Sequence, residues 1–323
     1  MGAPHIMNNH YFRDANVTDF MRDMTSVPYI SKLELTEICQ LKCPGCPTGA
    51  KLMASGTDMP LAMLQKIVDN NWLRNTSYVE LMMSGEGTLH KNFSEAVDIV
   101  KSSGVMVGIS TNLVDRNKIP ALCKLDSITV SMDVFNKEGY EQSRPPMKFD
   151  RLVDNIRELA AAAKPTTLIY LQLLRTEFTE KWFLDSIKDA QDFVKSLNKP
   201  NVVLRYISDT FGEVMGRTQS PVGSLMCATP FVACVIKSSG TVHPCGYCFT
   251  GKEEGLLLGN INTQTLEEIW DGEPVKKLRN QHRTGVSLPK RCMECADKNR
   301  SNHVFQTNIT VDILRHRAGV VIK

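Results

Sequence analysis

Three cysteines of this chain stand close together in the spacing C-x3-C-x2-C, as Cys39, Cys43 and Cys46. Three neighbouring thiolates suit an iron–sulfur cluster, which normally takes four protein ligands. No fourth cysteine lies nearby in the sequence, so a cluster held here would keep one iron open to a small-molecule ligand. Zinc sites usually have paired C-x2-C elements instead. The triplet therefore favours an iron–sulfur site over a structural zinc site.

A second group of cysteines lies between Cys227 and Cys295. Twelve residues separate Cys227 from Gly240, four separate Gly240 from Cys245, and the pair Cys292 and Cys295 follows far downstream in the spacing C-x2-C. Clustered cysteines in a chain of this size indicate metal binding in a reducing compartment. These four could hold either zinc or an iron–sulfur cluster.

Strand and helix patterns alternate from residue 29 to residue 208. Runs rich in Val, Ile and Leu predict strands at 29–37, 78–84, 105–111, 127–133, 166–174 and 202–208. Apolar residues at helical spacing predict helices at 60–74, 92–103, 117–124, 149–164 and 179–197. Such alternation is typical of a parallel sheet with right-handed crossovers. The cysteine triplet then follows the first strand, at the edge where parallel α/β folds bind ligands.

Small, polar and charged residues stand at the ends of the later strands. In chain order they are Ser84, Gly85 and Glu86, then Ser110 and Asn112, then Ser131, Asp133 and Arg144. Small hydroxyl and amide groups at a strand end can hold a ribose, and an arginine can bind a carboxylate. Arg175 and Arg205 lie near the ends of the last two strands. They could clamp an anionic or hydroxylated substrate, or form ordinary salt bridges.

The composition is that of an ordinary globular protein, with 42% hydrophobic and 23% charged residues. The net charge of +3 is too small to indicate a nucleic-acid or membrane partner. No apolar run is long enough to span a bilayer, and the first residues lack an apolar export signal. We therefore expect a cytoplasmic protein.

The length of 323 residues allows one large domain and one small domain. We expect a leader at 1–28, a strand–helix domain at 29–210, a linker rich in Gly, Ser and Thr at 211–225, a cysteine-rich domain at 226–298 and a tail at 299–323. Six strand–helix units are two short of a closed eight-stranded barrel.

The cysteine triplet, the Gly85-Glu86 pair after the second strand and the Ser131-x-Asp133 pattern of the fourth resemble the radical S-adenosylmethionine (radical SAM) superfamily. The resemblance implies a partial (βα)6 barrel in which Cys39, Cys43 and Cys46 hold a [4Fe–4S] cluster. In that family the open iron binds SAM. An electron from the cluster cleaves SAM, and the resulting 5′-deoxyadenosyl radical takes a hydrogen atom from the substrate.

The same resemblance implies roles at the other strand ends. The usual family motif Gly-Gly-Glu-Pro binds the amino group of SAM, and here Ser84 replaces the first glycine and Gly87 the proline. Ser110 and Asn112 stand where the family binds the ribose of SAM. Arg144 stands where relatives place an arginine that pairs with the SAM carboxylate.

The C-terminal cysteines resemble the auxiliary-cluster domains of the SPASM/twitch branch of this superfamily. Because no cysteine follows Cys295, the region resembles the shorter twitch form with one auxiliary [4Fe–4S] cluster. The resemblance implies Cys227, Cys245, Cys292 and Cys295 as its ligands. Four cysteine ligands would leave no open iron, so the implied role of this cluster is electron transfer.

Two cysteines of the second group are left over, Cys234 and Cys248. Cys248 follows Cys245 closely and could replace it as a ligand. Alternatively, either spare thiol could donate a hydrogen atom to a substrate radical. For Cys234, as for the isolated Cys123, a small buried apolar residue is the simpler interpretation.

These features favour a radical SAM oxidoreductase that dehydrogenates a hydroxyl-bearing small molecule, with the auxiliary cluster as electron acceptor. Twitch relatives include an aminocyclitol alcohol dehydrogenase. The alternative is an enzyme acting on a short peptide, which forms a thioether or C–C crosslink or epimerises a residue. Either enzyme would need a flavodoxin- or ferredoxin-type reductant as partner. A non-catalytic metal-binding protein is a third hypothesis, against which the triplet and Gly85-Glu86 argue.

Overall fold

The structure is a computed structural model that describes residues 26–49, 56–208, 227, 229–248, 253–293 and 295. The predicted linker at 211–225 and the tail at 299–323 lie outside these residues, as does nearly all of the leader at 1–28. None of the described helices is long and apolar enough to cross a membrane.

One sheet of nine strands forms the centre of the described chain. Its first strands are β1 (Tyr29–Leu33), β2 (Tyr78–Glu80), β3 (Met106–Thr111), β4 (Ser127–Asp133), β5 (Leu168–Arg175) and β6 (Val202–Ser208). They lie side by side in the order β6-β5-β4-β3-β2-β1, and each neighbouring pair is parallel. This arrangement confirms the predicted partial (βα)6 barrel.

Helices connect these strands and pack on one face of the sheet. They are α1 (Leu61–Asp69), α2 (Phe93–Ser102), α3 (Ile119–Leu122), α4 (Lys137–Ser143), α5 (Phe149–Ala162) and α6 (Glu180–Leu197). Helix α5 shows why they form, since Leu152, Ile156 and Leu159 recur at helical spacing and are buried. Helix α4 was not predicted because KEGYEQS has no apolar stripe. It begins where the Asn136 side chain accepts a hydrogen bond from the Gly139 N–H.

The two faces of the barrel sheet have different side chains. Val79, Val107, Ile128 and Ile169 belong to the main apolar core, which also contains the buried residues of the helices. The residues between them point to the opposite, inner face, because side chains alternate along a strand. That face has a separate apolar floor, formed by Tyr78, Leu168 and Tyr170 with Met106 and Val203.

The C-terminal region extends the same sheet on the other side of β1. Strand β7 (Ala233–Ile236) pairs parallel with β1, and β8 (Thr241–His243) and β9 (Gly259–Asn260) follow antiparallel. Helices α7 (Thr229–Val232), α8 (Leu266–Trp270), α9 (Glu273–Thr284) and α10 (Lys290–Met293) complete this region. The β7–β8 turn needs Gly240, whose φ of +83° is in the left-handed region. The C-terminal domain is therefore joined to the barrel through one continuous sheet, which the sequence did not predict.

Candidate functional site

The cysteine loop follows β1 at the edge where the parallel strands end. Cys39, Cys43 and Cys46 are half-buried thiols of this loop. The Cys46 N–H donates to the Cys43 carbonyl at 3.1 Å, and the Lys42 N–H donates to the Pro145 carbonyl at 2.7 Å. These bonds shape the loop and anchor it to the segment after α4. The structure thus brings the three predicted ligands together at the end of β1.

The three thiols fit an iron–sulfur cluster better than a single metal ion. Cys39 and Cys46 both raise the pKa of the Cys43 thiol electrostatically, because the three side chains lie close together. Within the described residues, however, no three Cys, His, Asp or Glu side chains converge on a single ion position. A cluster is compatible with both findings because each thiolate binds a different iron. Burial raises the pKa of the Cys43 thiol to about 11, so iron binding would release its proton.

The Glu86 carboxylate joins the loop after β2 to the end of β3. Its Oε1 accepts hydrogen bonds from Thr88 Oγ1 at 2.7 Å and from Thr111 Oγ1 at 2.6 Å. Its Oε2 accepts from the Asn112 N–H at 2.8 Å. Because donors of the chain itself surround this buried carboxylate, the geometry indicates that it positions two strand ends. Direct contact between Glu86 and the amino group of SAM stays a prediction.

The loop after β2 packs directly against the segment that leads into the cysteine loop. A Cβ on Gly85 would lie 2.7 Å from the Ile38 carbonyl oxygen and 2.7 Å from the Glu37 carbonyl carbon. The neighbouring Ser84 N–H donates to Glu34 Oε1 at 3.0 Å. Only glycine permits such a close approach of two backbones. Position 85 therefore fixes the distance between the two loops.

A buried ion pair lies beside the cysteine loop. Arg144 Nε and Nη2 each donate to the Asp133 carboxylate at 2.7 Å. Burial alone would lower the pKa of Arg144, but the Asp133 carboxylate and the Cys43 thiol raise it. Arg144 Nη1 makes no hydrogen bond to the described residues, so it can still donate to a ligand carboxylate. The predicted pairing of Arg144 with the SAM carboxylate is compatible with this geometry but stays a prediction.

The other predicted SAM ligands lie on neighbouring strand ends. Asn112 Oδ1 accepts a hydrogen bond from Gln40 Nε2 at 3.2 Å, which ties the end of β3 to the cysteine loop. Ser110 and Ser131 are half-buried, and strand alternation puts both on the inner face of the barrel. The structure therefore brings all three close to the mouth of the barrel, while their contacts with SAM stay predictions.

The two predicted substrate arginines differ in position. Arg175 is 51% exposed and forms a bidentate ion pair with Glu180, at 2.8 and 2.6 Å. Of the two predicted alternatives for Arg175, a substrate clamp and an ordinary salt bridge, the structure shows the salt bridge, at the surface. Arg205 lies on the inner face, with its guanidinium 5.1 Å from the centre of the Tyr170 ring.

Three C-terminal cysteines lie together beyond the β7–β8 hairpin. The Cys248 thiol donates a hydrogen bond to Cys245, which lowers the pKa of Cys245 and raises that of Cys248. Cys292 also acts on Cys248 electrostatically. Cys227 and Cys295 are half-buried thiols of the same region. Because Cys248 interacts with both Cys245 and Cys292, either Cys245 or Cys248 could be a cluster ligand.

Cys234 lies beside Ile30 at the start of β1, away from the edge that carries the cysteine loop. It is fully buried in the main apolar core, on β7. Burial raises the pKa of its thiol, with no contribution from a charged neighbour. Of the two predicted alternatives for Cys234, a hydrogen donor and a small buried apolar residue, this burial favours the second. Cys123 is half-buried and packs against the edge of the same core.

Two buried charge clusters were missed by sequence reasoning. Lys32 of β1 forms an ion pair with Glu80 of β2 on the inner face, and its Nζ lies 3.2 Å from Met82 Sδ. Lys237, after β7, lies between Glu34 and Glu37. The available signal was the charged residues that interrupt the apolar run YISKLELTE. Their partners are far away in sequence and could not be predicted.

Two family profiles match the chain. The Radical SAM superfamily matches residues 33–190, which contain the cysteine triplet. SPASM, an iron–sulfur cluster-binding domain, matches residues 227–296, which contain the second cysteine group. No curated protein sequence matches significantly.

Solved structures share the fold at low sequence identity. BtrN in complex with AdoMet and 2-DOIA is 15% identical, with a TM-score of 0.53, over 84% of this chain and 92% of BtrN. SuiB of Streptococcus suis bound to precursor peptide SuiA is 14% identical, with a TM-score of 0.59, over 87% and 72%. anSMEcpe with bound AdoMet is 14% identical, with a TM-score of 0.54, over 88% and 100%.

The profiles and the geometry of the barrel lead to the same assignment. The cysteine triplet lies at the mouth of a six-stranded parallel sheet, and the second cysteine group belongs to the matched iron–sulfur domain. The chain therefore belongs to the SPASM branch of the radical SAM superfamily, whose enzymes bind a [4Fe–4S] cluster with SAM and an auxiliary iron–sulfur cluster.

Proposed function

We propose that this enzyme oxidises a hydroxyl-bearing small molecule by two electrons: one would leave with the abstracted hydrogen atom, and the auxiliary cluster would accept the other. The observation that carries the proposal is the inner face of the barrel, which is polar and charged above its apolar floor. Pockets that bind small hydrophilic molecules have a few fixed polar groups of this kind. A flavodoxin- or ferredoxin-type protein is the proposed reductant.

The charged groups of the inner face lie on opposite sides of the barrel. Lys32 and Glu80 form their ion pair on β1 and β2. Gln172 and Arg205 are register partners on β5 and β6, and Ser131 is the partner of Gln172 on β4. A hydroxyl group can donate to a carboxylate and accept from an ammonium or guanidinium. A substrate with several hydroxyl groups would therefore find partners on both sides.

The residues at the mouth of the barrel have proposed roles in binding the cofactors. We assign Cys39, Cys43 and Cys46 to the cluster, and the mouth residues Ser84, Gly85, Glu86, Ser110, Asn112, Ser131, Asp133 and Arg144 to SAM. When bound, the cluster and SAM supply a radical that can remove a hydrogen atom from a C–H bond. In this assignment the Asp133 carboxylate fixes the Arg144 guanidinium beside the cysteine loop.

The auxiliary site is proposed to take Cys227, Cys292 and Cys295 with either Cys245 or Cys248. The solved relatives support two kinds of substrate. BtrN was crystallised with 2-DOIA and SuiB with a precursor peptide. This chain spans 92% of BtrN but 72% of SuiB. The buried ion pair of the inner face supports the small-molecule substrate over the peptide.

The test is anaerobic turnover of the reconstituted, reduced enzyme with SAM. One set of reactions contains cyclitols, sugar alcohols and their amino derivatives, and another contains synthetic peptides. We expect a hydroxyl-bearing compound to stimulate release of 5′-deoxyadenosine and to lose two mass units in equal amount. Stimulation by peptides alone would contradict the proposed oxidation. So would a product that has the mass of the substrate in H2O but contains deuterium when the reaction is run in D2O.

Two variants connect this test to the inner face. Glu80→Gln removes the charge of Glu80 from the barrel interior but leaves the mouth intact, so it should lose stimulation by the substrate and keep the slow background cleavage of SAM. Glu180→Gln, which changes a carboxylate of the exposed pair with Arg175, is the matched control and should behave as wild type. Equal stimulation in Glu80→Gln and wild type would contradict a substrate site on this face.

A further inference from the structure

We propose that Lys237, at the turn of the β7–β8 hairpin, is a positioning residue for the loop after β2, so that the C-terminal domain sets the affinity of the barrel for SAM. This role goes beyond holding an auxiliary cluster. It rests on the proposed assignment of Ser84, Gly85 and Glu86 to SAM, and it does not depend on which substrate the enzyme uses.

Lys237 is the first residue after β7 and is only 2% exposed. Its Nζ lies 3.4 Å from Glu34 Oε2 and 3.1 Å from Glu37 Oε1. Both carboxylates belong to the segment between β1 and the cysteine loop. A buried ammonium is tolerated when carboxylates replace its lost water. The ion cluster therefore fixes the hairpin turn against the end of β1.

The Glu34 carboxylate continues this contact to the loop after β2. Its Oε2 accepts a hydrogen bond from the Ser238 N–H at 3.3 Å, and its Oε1 accepts from the Ser84 N–H at 3.0 Å. One buried carboxylate thus joins the backbone of the C-terminal hairpin to the backbone of the barrel loop.

The segment between Glu34 and Ile38 has the hairpin on one side and the loop after β2 on the other. The Glu34 N–H donates to the Ile236 carbonyl at 2.9 Å, and the Glu86 N–H donates to the Ile38 carbonyl at 2.8 Å. At Gly85 the two backbones are too close to admit a Cβ. Because no space is left at this contact, a shift of the segment must also move the loop.

Replacing Lys237 by a neutral residue would leave Glu34 and Glu37 close together without a positive charge between them. One carboxylate must then take up a proton or turn away, since two buried like charges repel each other. If Glu34 turns, Ser84 loses its hydrogen-bond acceptor and the loop loses its position. The cysteines of both clusters are not changed by this substitution.

The experiment measures SAM affinity of the full-length, anaerobically reconstituted protein without substrate. SAM is titrated calorimetrically and, independently, by the change in the EPR spectrum of the reduced cluster. We expect Lys237→Gln to raise the Kd for SAM by about tenfold or more while iron and sulfide contents stay at wild-type values. Lys237→Arg keeps the charge and should recover part of the affinity.

Lys66→Gln is the matched control for domain docking. Lys66 of α1 also connects the barrel to the C-terminal region, because its Nζ donates to the Ile261 carbonyl at 2.5 Å. It contacts neither Glu34 nor the loop after β2. We expect Lys66→Gln to keep the wild-type Kd for SAM even if its thermal midpoint falls.

Gly85→Ala separates failure of this inference from failure of the proposed loop assignment. If Gly85→Ala and Lys237→Gln both bind SAM as wild type does, the loop does not hold SAM. If Gly85→Ala alone weakens binding, Lys237 has no positioning role and the inference is wrong. Equal weakening by Lys66→Gln and Lys237→Gln would also overturn it, since general docking would then explain the loss.

Glu34→Gln keeps the test decisive if Lys237→Gln does not fold. Its amide oxygen can still accept from the Ser84 N–H, but its amide nitrogen cannot accept from Ser238 or Lys237. We expect the Kd for SAM to rise above the wild-type value, with both clusters retained. An unchanged Kd in this variant would contradict the role of the carboxylate as the connection.

Discussion

At the scale of single residues, two arginine–carboxylate pairs with the same bidentate geometry have different surroundings. Arg144 and Asp133 are buried beside the cysteine loop, whereas Arg175 and Glu180 are in solvent. Removing one partner of a buried pair leaves an uncompensated charge. We expect Arg144→Gln to reduce the free energy of unfolding by about 3 kcal/mol. Urea unfolding of the cluster-free, reduced protein would measure this loss.

The exposed pair supplies the control for this prediction. Arg175→Gln should leave the urea midpoint unchanged, because exposed pairs contribute little to stability. Equal urea midpoints for Arg144→Gln and Arg175→Gln would show that the buried Arg144–Asp133 pair contributes no more to stability than the exposed pair does.

Glu34 gives a prediction for pH dependence. Burial raises the pKa of its carboxyl, and Lys237 only partly opposes this rise. Because the pKa is raised in the folded state, the contribution of Glu34 to the free energy of unfolding is fully present below the unfolded pKa of about 4.3. This contribution is lost as pH rises through the folded pKa. In Glu34→Gln this loss should be absent. Urea midpoints between about pH 4 and pH 7 test it, and parallel curves for the variant and wild type would contradict it.

Sequence reasoning found the cysteines and the polar strand ends because these residues are close together in the chain or follow strands directly. It missed Lys32 with Glu80 and Lys237 with Glu34, since the partners are 48 and about 200 residues apart. It could not decide between a substrate clamp and a salt bridge for Arg175, because a strand end alone does not say whether a side chain points inwards or to solvent. Such pairs depend on register, which only the folded sheet defines.

At the scale of elements, the predicted barrel strands and most helices agree with the structure because their apolar periodicity is strong. β1 was predicted to run to residue 37 but ends at Leu33, since the chain after it turns into the cysteine loop. The pairing of β7 with β1 was not predicted. No local pattern in ACVI shows which of several strands it will join.

The β1–β7 pairing predicts the pattern of amide hydrogen exchange. β1 lies between β2 and β7, whereas β6 is the last strand of the sheet among the described strands. We expect amides of β1 to be protected as strongly as those of β3 and more strongly than those of β6, because interior strands open less often. Mass spectrometry of peptic fragments from the intact protein would measure this. Rapid exchange in β1 would contradict the pairing.

At the scale of the whole molecule, the two cysteine groups predict a two-cluster protein. Anaerobically reconstituted wild type should contain about eight irons, and the Cys39/Cys43/Cys46→Ala triple variant about four. The remaining iron would belong to the C-terminal group. Iron, sulfide and zinc analysis on the same samples provides the measurement.

The same iron and zinc contents could also contradict the prediction of two clusters. About four irons in wild type and none in the triple variant, with one zinc retained, would make the C-terminal site a structural zinc site. The proposed transfer of an electron from the substrate to an auxiliary cluster would then be wrong, while the radical SAM assignment of the barrel would be unaffected.

The position of β7 beside β1 also determines when the molecule can be completed during synthesis. Ser31 Oγ donates to the Cys234 carbonyl, a contact that spans 203 residues. The first barrel strand to leave the ribosome must therefore wait for β7 before both its edges are paired. Contacts of such long range form slowly. The segment that leads into the cysteine triplet can thus complete its contacts only after translation has passed the β7–β8 hairpin, and we expect cluster insertion to follow that point.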